Sequence, residues 1–262
     1  MDNSESKQSI ENKERIENMK TNESLESTEN VENMEEMKST EETKSTEETK
    51  SMEDMKSMGT TESEKRVLTE IIFLLDRSGS MAGLEADTIG GFNTFIEKQR
   101  QIEGETNVTT VLFDNKYEIL WNGIDVHQVF LTEEEYYVRG TTALLDAVGK
   151  TILDVGYRLS KTSENDKPNK VIFVITTDGM ENSSREFNYE KVKELIKNQQ
   201  EKYNWEFIFL GANIDAVKEA DSIGIDVHNA FSFEASEAGV VKMYSMISEE
   251  VSERRLKERK KR

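Results

Sequence analysis

The chain has 262 residues, no cysteine, two histidines (His127 and His228) and a formal net charge of −19. Disulfides, thiolate-bound zinc, iron–sulfur clusters and cysteine nucleophiles are thereby excluded, and so is a multi-histidine metal site. The acidic balance argues against a nucleic-acid grip, which needs clustered Lys and Arg.

Residues 1–65 stand apart from the rest. They hold 19 acidic and 9 basic side chains, with no aromatic residue and no proline. From Asn33 they repeat with a period of six: NMEEMK, STEETK, STEETK, SMEDMK. Six is neither the heptad of a coiled coil nor the longer period of a solenoid. Dense charge with little apolar content cannot bury enough surface to offset chain entropy. The expectation is a disordered, acidic, low-complexity tail with transient helix. Its roles could be a solvated tether, an acidic interaction arm, or a helix that forms on a partner; the tether is favoured. The first residues lack the basic and apolar segments of a secretory signal. No apolar run approaches the ~20 residues of a membrane span. The expected compartment is the cytoplasm.

From Arg66 strand and helix signals alternate. Val67 to Leu75 predicts a buried strand. Glu85 to about Ile102 predicts a helix, with Ile89, Phe92, Phe95 and Ile96 on one face. Asn107–Phe113 and Tyr117–Trp121 flank the short polar joint Asp114-Asn115-Lys116 and predict an antiparallel hairpin, with Asp114 making its turn. A less regular stretch, Asn122 to Glu135, is followed by a short strand around Tyr136–Val138. Thr142 to about Leu159 reads as a helix, and Lys161 to Asn169 as a polar loop. The β-branched run Val171–Ile175 predicts a strand buried on both faces. A helix at Tyr189–Tyr203, a strand at Trp205–Leu210, a short helix at Ala216–Ile223 and a short strand around Asp226–Asn229 follow. A long helix from Ser236 to about Lys257 closes a domain spanning 66–253, and 254–262 form a basic tail. Alternation of this kind predicts an α/β fold: an open, doubly wound, mostly parallel sheet with helices on both faces and the hairpin as its antiparallel edge.

Such sheets carry their sites beyond the carboxyl ends of the strands, where strand order reverses. Asp76-Arg77-Ser78-Gly79-Ser80 follows the first strand, and Thr176-Thr177-Asp178-Gly179 follows the strand at Val171. Arg139-Gly140-Thr141-Thr142 stands before a helix. Asp76, Ser78, Ser80, Thr141 and Asp178 therefore share one rim. All are hard oxygen donors, the kind a cation such as Mg²⁺ needs. Taken alone, the first of these motifs reads equally well as a Ser/Gly turn capped by Asp.

Asp-x-Ser-x-Ser after a buried strand, Gly-Thr before a helix and Thr-Asp-Gly after a later strand together resemble the von Willebrand factor type A domain, in its stand-alone bacterial type. The resemblance covers residues 66–250. It implies a six-stranded sheet in the order 3-2-1-4-5-6 and a metal-ion-dependent adhesion site (MIDAS) made by Asp76, Ser78, Ser80, Thr141 and Asp178. The implied ion is Mg²⁺, with Mn²⁺ as the alternative, and the implied function is divalent-cation-dependent protein binding. A partner's Asp or Glu would replace a water on the ion. Arg139 departs from the family pattern by standing where a glycine is frequent; it either attracts an acidic group or packs outward.

No His, Cys or spare Glu is placed to act as a base beside the cation, so an enzyme is not expected. A metal-dependent hydrolase remains one alternative, and a scaffold acting through the acidic repeats another. Gly149-Lys150-Thr151 mimics the end of a phosphate-binding loop but lies inside a helix and lacks the upstream glycine. Asp146 reads either as support for the rim or as an exposed helix residue. The two histidines lie away from the rim motifs. The basic run Arg254 to Arg262 complements a helix C-terminus, with the acidic tail or an anionic surface as other partners.

Overall fold

The computed structural model describes residues 67–260; the expectations for the acidic tail lie outside the described residues. β1, Leu68–Asp76, is buried along all nine residues. Its sequence explains that position: an uninterrupted apolar run suits a central strand covered on both faces. β2 (Glu105–Phe113) lies parallel to it on one side and β4 (Lys170–Thr177) on the other. β3 (Tyr117–Asp125) pairs antiparallel with β2, while β5 (Glu206–Ala212) and β6 (Ala230–Phe233) extend the parallel sheet. The order is β3-β2-β1-β4-β5-β6. Strand order therefore reverses at β1, and the crevice opens at the carboxyl ends of β1 and β4.

Five α-helices cover the sheet: α1 (Glu85–Arg100), α2 (Leu144–Lys161), α3 (Tyr189–Tyr203), α4 (Ala216–Ser222) and α5 (Glu237–Lys260). Side chains alternate between faces along β1. Ile71, Phe73 and Leu75 pack with Phe92, Phe95 and Ile96 of α1 and with Tyr244, Ile247 and Val251 of α5. Phe73 is the centre of that layer, edge-on to Phe92 at 5.3 Å and to Phe95 at 5.2 Å between ring centroids. Gly91 lets α1 approach α5 closely, since a Cβ there would lie 2.1 Å from the Tyr244 ring.

Two ion-pair systems hold the end of the sheet opposite the crevice. Buried Glu70 of β1 accepts from Thr109 at 2.8 Å and pairs with Arg158 of α2. Glu206 of β5 pairs with Lys170 and with Arg254, the latter at 3.0 Å.

Three predicted elements differ from the structure. Tyr136–Val138 is not a strand. Tyr136 N donates to Thr132 O at 3.0 Å, closing a turn, and its buried hydroxyl donates to Asp76 O at 2.7 Å. The apolar pattern there records burial of a loop, not pairing. Val227–Asn229 is a single 3₁₀ turn, because Asp226 accepts from His228 N and caps it; the strand begins one residue later. The basic run begins inside α5, not after it. Arg255 is buried there and donates to Gln99 O at the carboxyl end of α1, at 2.8 Å.

Candidate metal centre

Asp76 is the last residue of β1 and Thr177 the last of β4. Register places Leu75 opposite Thr176, so Asp76 and Thr177 come next to each other on the rim. Thr177 Oγ1 donates to Asp76 Oδ2 at 2.6 Å, and Ser78 N donates to Asp76 Oδ1 at 2.7 Å. The Ser78 and Ser80 hydroxyls are 3.1 Å apart, and Ser80 Oγ donates to Asp178 Oδ1 at 2.6 Å. Asp76, Ser78, Ser80 and Asp178 thus form one connected cluster. Thr141 is tied to it less directly. Gly79 N donates to Gly140 O at 3.1 Å, and the Thr141 hydroxyl accepts from Ser183 Oγ at 2.5 Å.

Both aspartates are nearly sealed from solvent, Asp76 at 1% and Asp178 at 2% exposure. Burial pushes the Asp76 carboxyl up to about 6; hydrogen bonds from Thr177 and Ser78 oppose that, and the charge of Asp178 adds to it. Burial also raises Asp178, against the hydrogen bond from Ser80. Arg77 does not relieve them. Its guanidinium turns instead to Asp114 and Glu118, at 3.0 and 2.7 Å.

One atom remains unpaired in the cluster: Asp178 Oδ2 is buried and has no hydrogen-bond partner. A buried carboxylate oxygen without a partner is costly. Two carboxylates and three hydroxyls supply only hard oxygen ligands, the set that suits Mg²⁺ or Mn²⁺ over softer metals. The residues therefore fit a divalent cation. Among the described residues no three His, Cys, Asp or Glu side chains converge, so a site without hydroxyl ligands is not offered elsewhere.

Sequence reasoning missed several residues that build this rim. Thr177 could have been found, because it precedes Asp178 in the same motif on the strand beside β1. Asn182 and Ser183 carry no motif; Asn182 Oδ1 accepts from Thr142 N at 3.0 Å. Asp146 is largely buried, and its carboxylate accepts from the N–H groups of Arg185, Glu186 and Phe187 at 2.8 to 2.9 Å. It orders the loop after β4, so it is not an exposed helix residue. Arg139 is half-buried and pairs with Asp114 at 2.7 Å. The phosphate-loop mimic is indeed helical: Thr151 donates to Ala147 O within α2, and Lys150 pairs with Glu186. His127 and His228 occupy 3₁₀ turns after β3 and before β6, at the end of the sheet away from the rim.

No protein-family profile matches the chain, and no curated protein matches it in sequence. Solved structures do match in fold. Proximal thread matrix protein 1 from the mussel byssus superposes with a TM-score of 0.51 at 15% identity, over 71% of this chain and 47% of that one. The same mussel protein with a zinc-occupied MIDAS motif gives 0.50 at 16% identity, over 71% and 46%. Manganese-loaded TRAP protein of Plasmodium vivax gives 0.49 at 19% identity, over 69% and 72%. The chain spans about half the length of the mussel protein. At these identities the likeness is one of fold. The described domain has the von Willebrand factor type A fold.

Proposed function

We propose that the rim is a MIDAS-type site, in which Asp76, Ser78, Ser80, Thr141 and Asp178 hold a divalent cation, Mg²⁺ or Mn²⁺, and that the domain binds a protein partner through it. The observation that carries this reading is the unpartnered, buried Asp178 Oδ2 within a cluster of two carboxylates and neighbouring hydroxyls. Two adjacent buried carboxylates without a counter-charge favour a cation more than any neutral ligand.

The roles of the protein groups follow from their bonding. Thr177 and the Ser78 amide fix both oxygens of Asp76. Ser80 orients Asp178, and Ser183 orients the Thr141 hydroxyl. When bound, the cation supplies a Lewis-acidic docking point for a partner's Asp or Glu carboxylate. Three of the five ligands are neutral hydroxyls and the two carboxylates balance the ion's formal charge, so the partner's carboxylate would be held by direct coordination, in place of a water on the ion. Neither histidine lies near the rim to serve as a base, which favours binding over turnover.

Pull-down from lysate with the full chain, in Mg²⁺ and in EDTA, tests this function. Proteins captured in Mg²⁺ should be absent in EDTA and absent with Asp178→Ala. Identical bound proteins in all lanes would sink it. Among the described residues no helix is long and apolar enough to cross a membrane, and the proposed partner is a protein, with no nucleic acid involved. The proposed compartment for this activity is the cytoplasm.

A further inference from the structure

Beside the rim lies a charged cluster that the proposed ligands do not include. Asp114, at the β2–β3 turn, is fully buried. Its Oδ1 accepts from Lys116 N at 2.6 Å, which makes the hairpin turn. Its Oδ2 accepts twice more, from Arg77 Nε at 3.0 Å and from Arg139 Nε at 2.7 Å. Arg77 is the residue between Asp76 and Ser78, and Arg139 stands two residues before Thr141. One carboxylate oxygen thus binds side chains from both loops that carry the hydroxyl ligands.

The backbone repeats the same connection. Arg77 N donates to Phe113 O at 2.8 Å, Arg139 N to Arg77 O at 2.8 Å, and Ala143 N to Asp114 O at 2.9 Å. The two guanidinium groups also lie near the Tyr137 ring, at 5.5 and 5.1 Å from its centroid. Gly140 is fitted to this arrangement. It has φ of +71°, and a Cβ there would meet the Asn115 side chain at 2.1 Å. Arg77 is one of the largest fully buried side chains, and a buried guanidinium persists only where its charge is paired.

We propose that Asp114 is a positioning residue of the cation site: through Arg77 and Arg139 it holds the Asp76–Ser80 loop and the Thr141 loop at a fixed separation. This rests on the function proposed above. A metal with strict oxygen geometry penalises ligands that drift, and Mg²⁺ is stricter in this than Ca²⁺. Outer groups that orient ligands affect metal affinity by about 10–100-fold. Arg139, which departs from the glycine frequent at its position, then has a role: its guanidinium is a tie between loops.

The test is Mn²⁺ titration of the full chain, read by electron paramagnetic resonance of the free ion, with the Tm of each metal-free variant measured beside it. Asp114→Asn leaves the Lys116 acceptor but weakens both guanidinium contacts. Arg139→Gln is the milder variant, because the buried Arg77–Asp114 pair stays intact, and it decides the matter if Asp114→Asn does not fold. Arg158→Gln is the matched control. It removes a half-buried arginine from buried Glu70, six residues before Asp76 and roughly 20 Å along β1.

The expected result is Mn²⁺ affinity weaker by about tenfold or more in Arg139→Gln and Asp114→Asn, with Arg158→Gln binding as wild type despite a lowered Tm. Wild-type affinity in folded Arg139→Gln overturns the positioning role alone. Equal weakening in Arg158→Gln also overturns it, because general loosening would then explain the loss. A wild-type chain that binds no Mn²⁺ overturns the proposed function and this inference together.

Discussion

Asp76 illustrates how one side chain can carry both a cost and a proposed function. Its carboxyl, raised to about 6 by burial, keeps its proton in the folded chain over a range where an unfolded aspartate has lost it. The folded state then binds more protons than the unfolded state between about pH 4 and 6, so stability without metal falls as pH rises through that window and levels off above it. A rise of this size corresponds to about 3 kcal/mol. Urea unfolding in EDTA should show this slope in wild type and a smaller one in Asp76→Asn, where the raised Asp178 carboxyl still contributes. In the proposed site metal and proton compete for the same carboxylate, so Mn²⁺ affinity should be about tenfold weaker at pH 5 than at pH 7. Invariant affinity across that interval would mean that Asp76 does not meet the ion. At Gly140, substitution by Ala should lower stability by about 1–2 kcal/mol from the positive φ alone, and more from the contact with Asn115. These features differ in how readable they are. Asp76, Ser78, Ser80 and Asp178 are legible because strand ends are marked by apolar runs, and residues two apart in a turn converge. Ser183 and the Asp114–Arg139 tie are not. They depend on where long loops return in space, which no local pattern encodes.

Among the elements, β1 does the most to make the site. Burial on both faces prevents it from shifting in register, because a slip of one residue would exchange its two packed faces. The rim position of Asp76 is therefore set by the core beneath it. Phe73→Ala should cost about 3–5 kcal/mol and should weaken Mn²⁺ binding only in proportion to the unfolded fraction; guanidinium melts with and without Mn²⁺ separate the two effects. Helix α1 is readable from its apolar spacing, and its contact with α5 depends on Gly91, so Gly91→Val should destabilise through the Tyr244 clash. Strand β6, Ala230–Phe233, lies later than the short strand expected around Asp226–Asn229. Asp226 instead caps a turn, and a cap competes for the same backbone groups that a ladder would use. The Tyr136 segment misleads for the opposite reason, since its buried aromatic serves a loop.

For the described domain, the alternation of elements conveys the fold class, and the strand order 3-2-1-4-5-6 comes from the family resemblance. Alternating elements and one short hairpin leave few open-sheet arrangements once crossover handedness is imposed. Charge is unequally shared: residues 1–65 carry 19 acidic and 9 basic side chains. We expect a chain starting at Arg66 to retain cation-dependent capture of the partner; loss of capture on that deletion, with the domain still folded, would transfer binding to the repeats. The most direct measurement of whether the rim holds a cation is anomalous diffraction from crystals grown with Mn²⁺. The account predicts one strong anomalous peak among Asp76, Ser78, Ser80, Thr141 and Asp178, lost in Asp178→Ala. A saturated crystal with no peak there, or with its Mn²⁺ held by other residues, would contradict it.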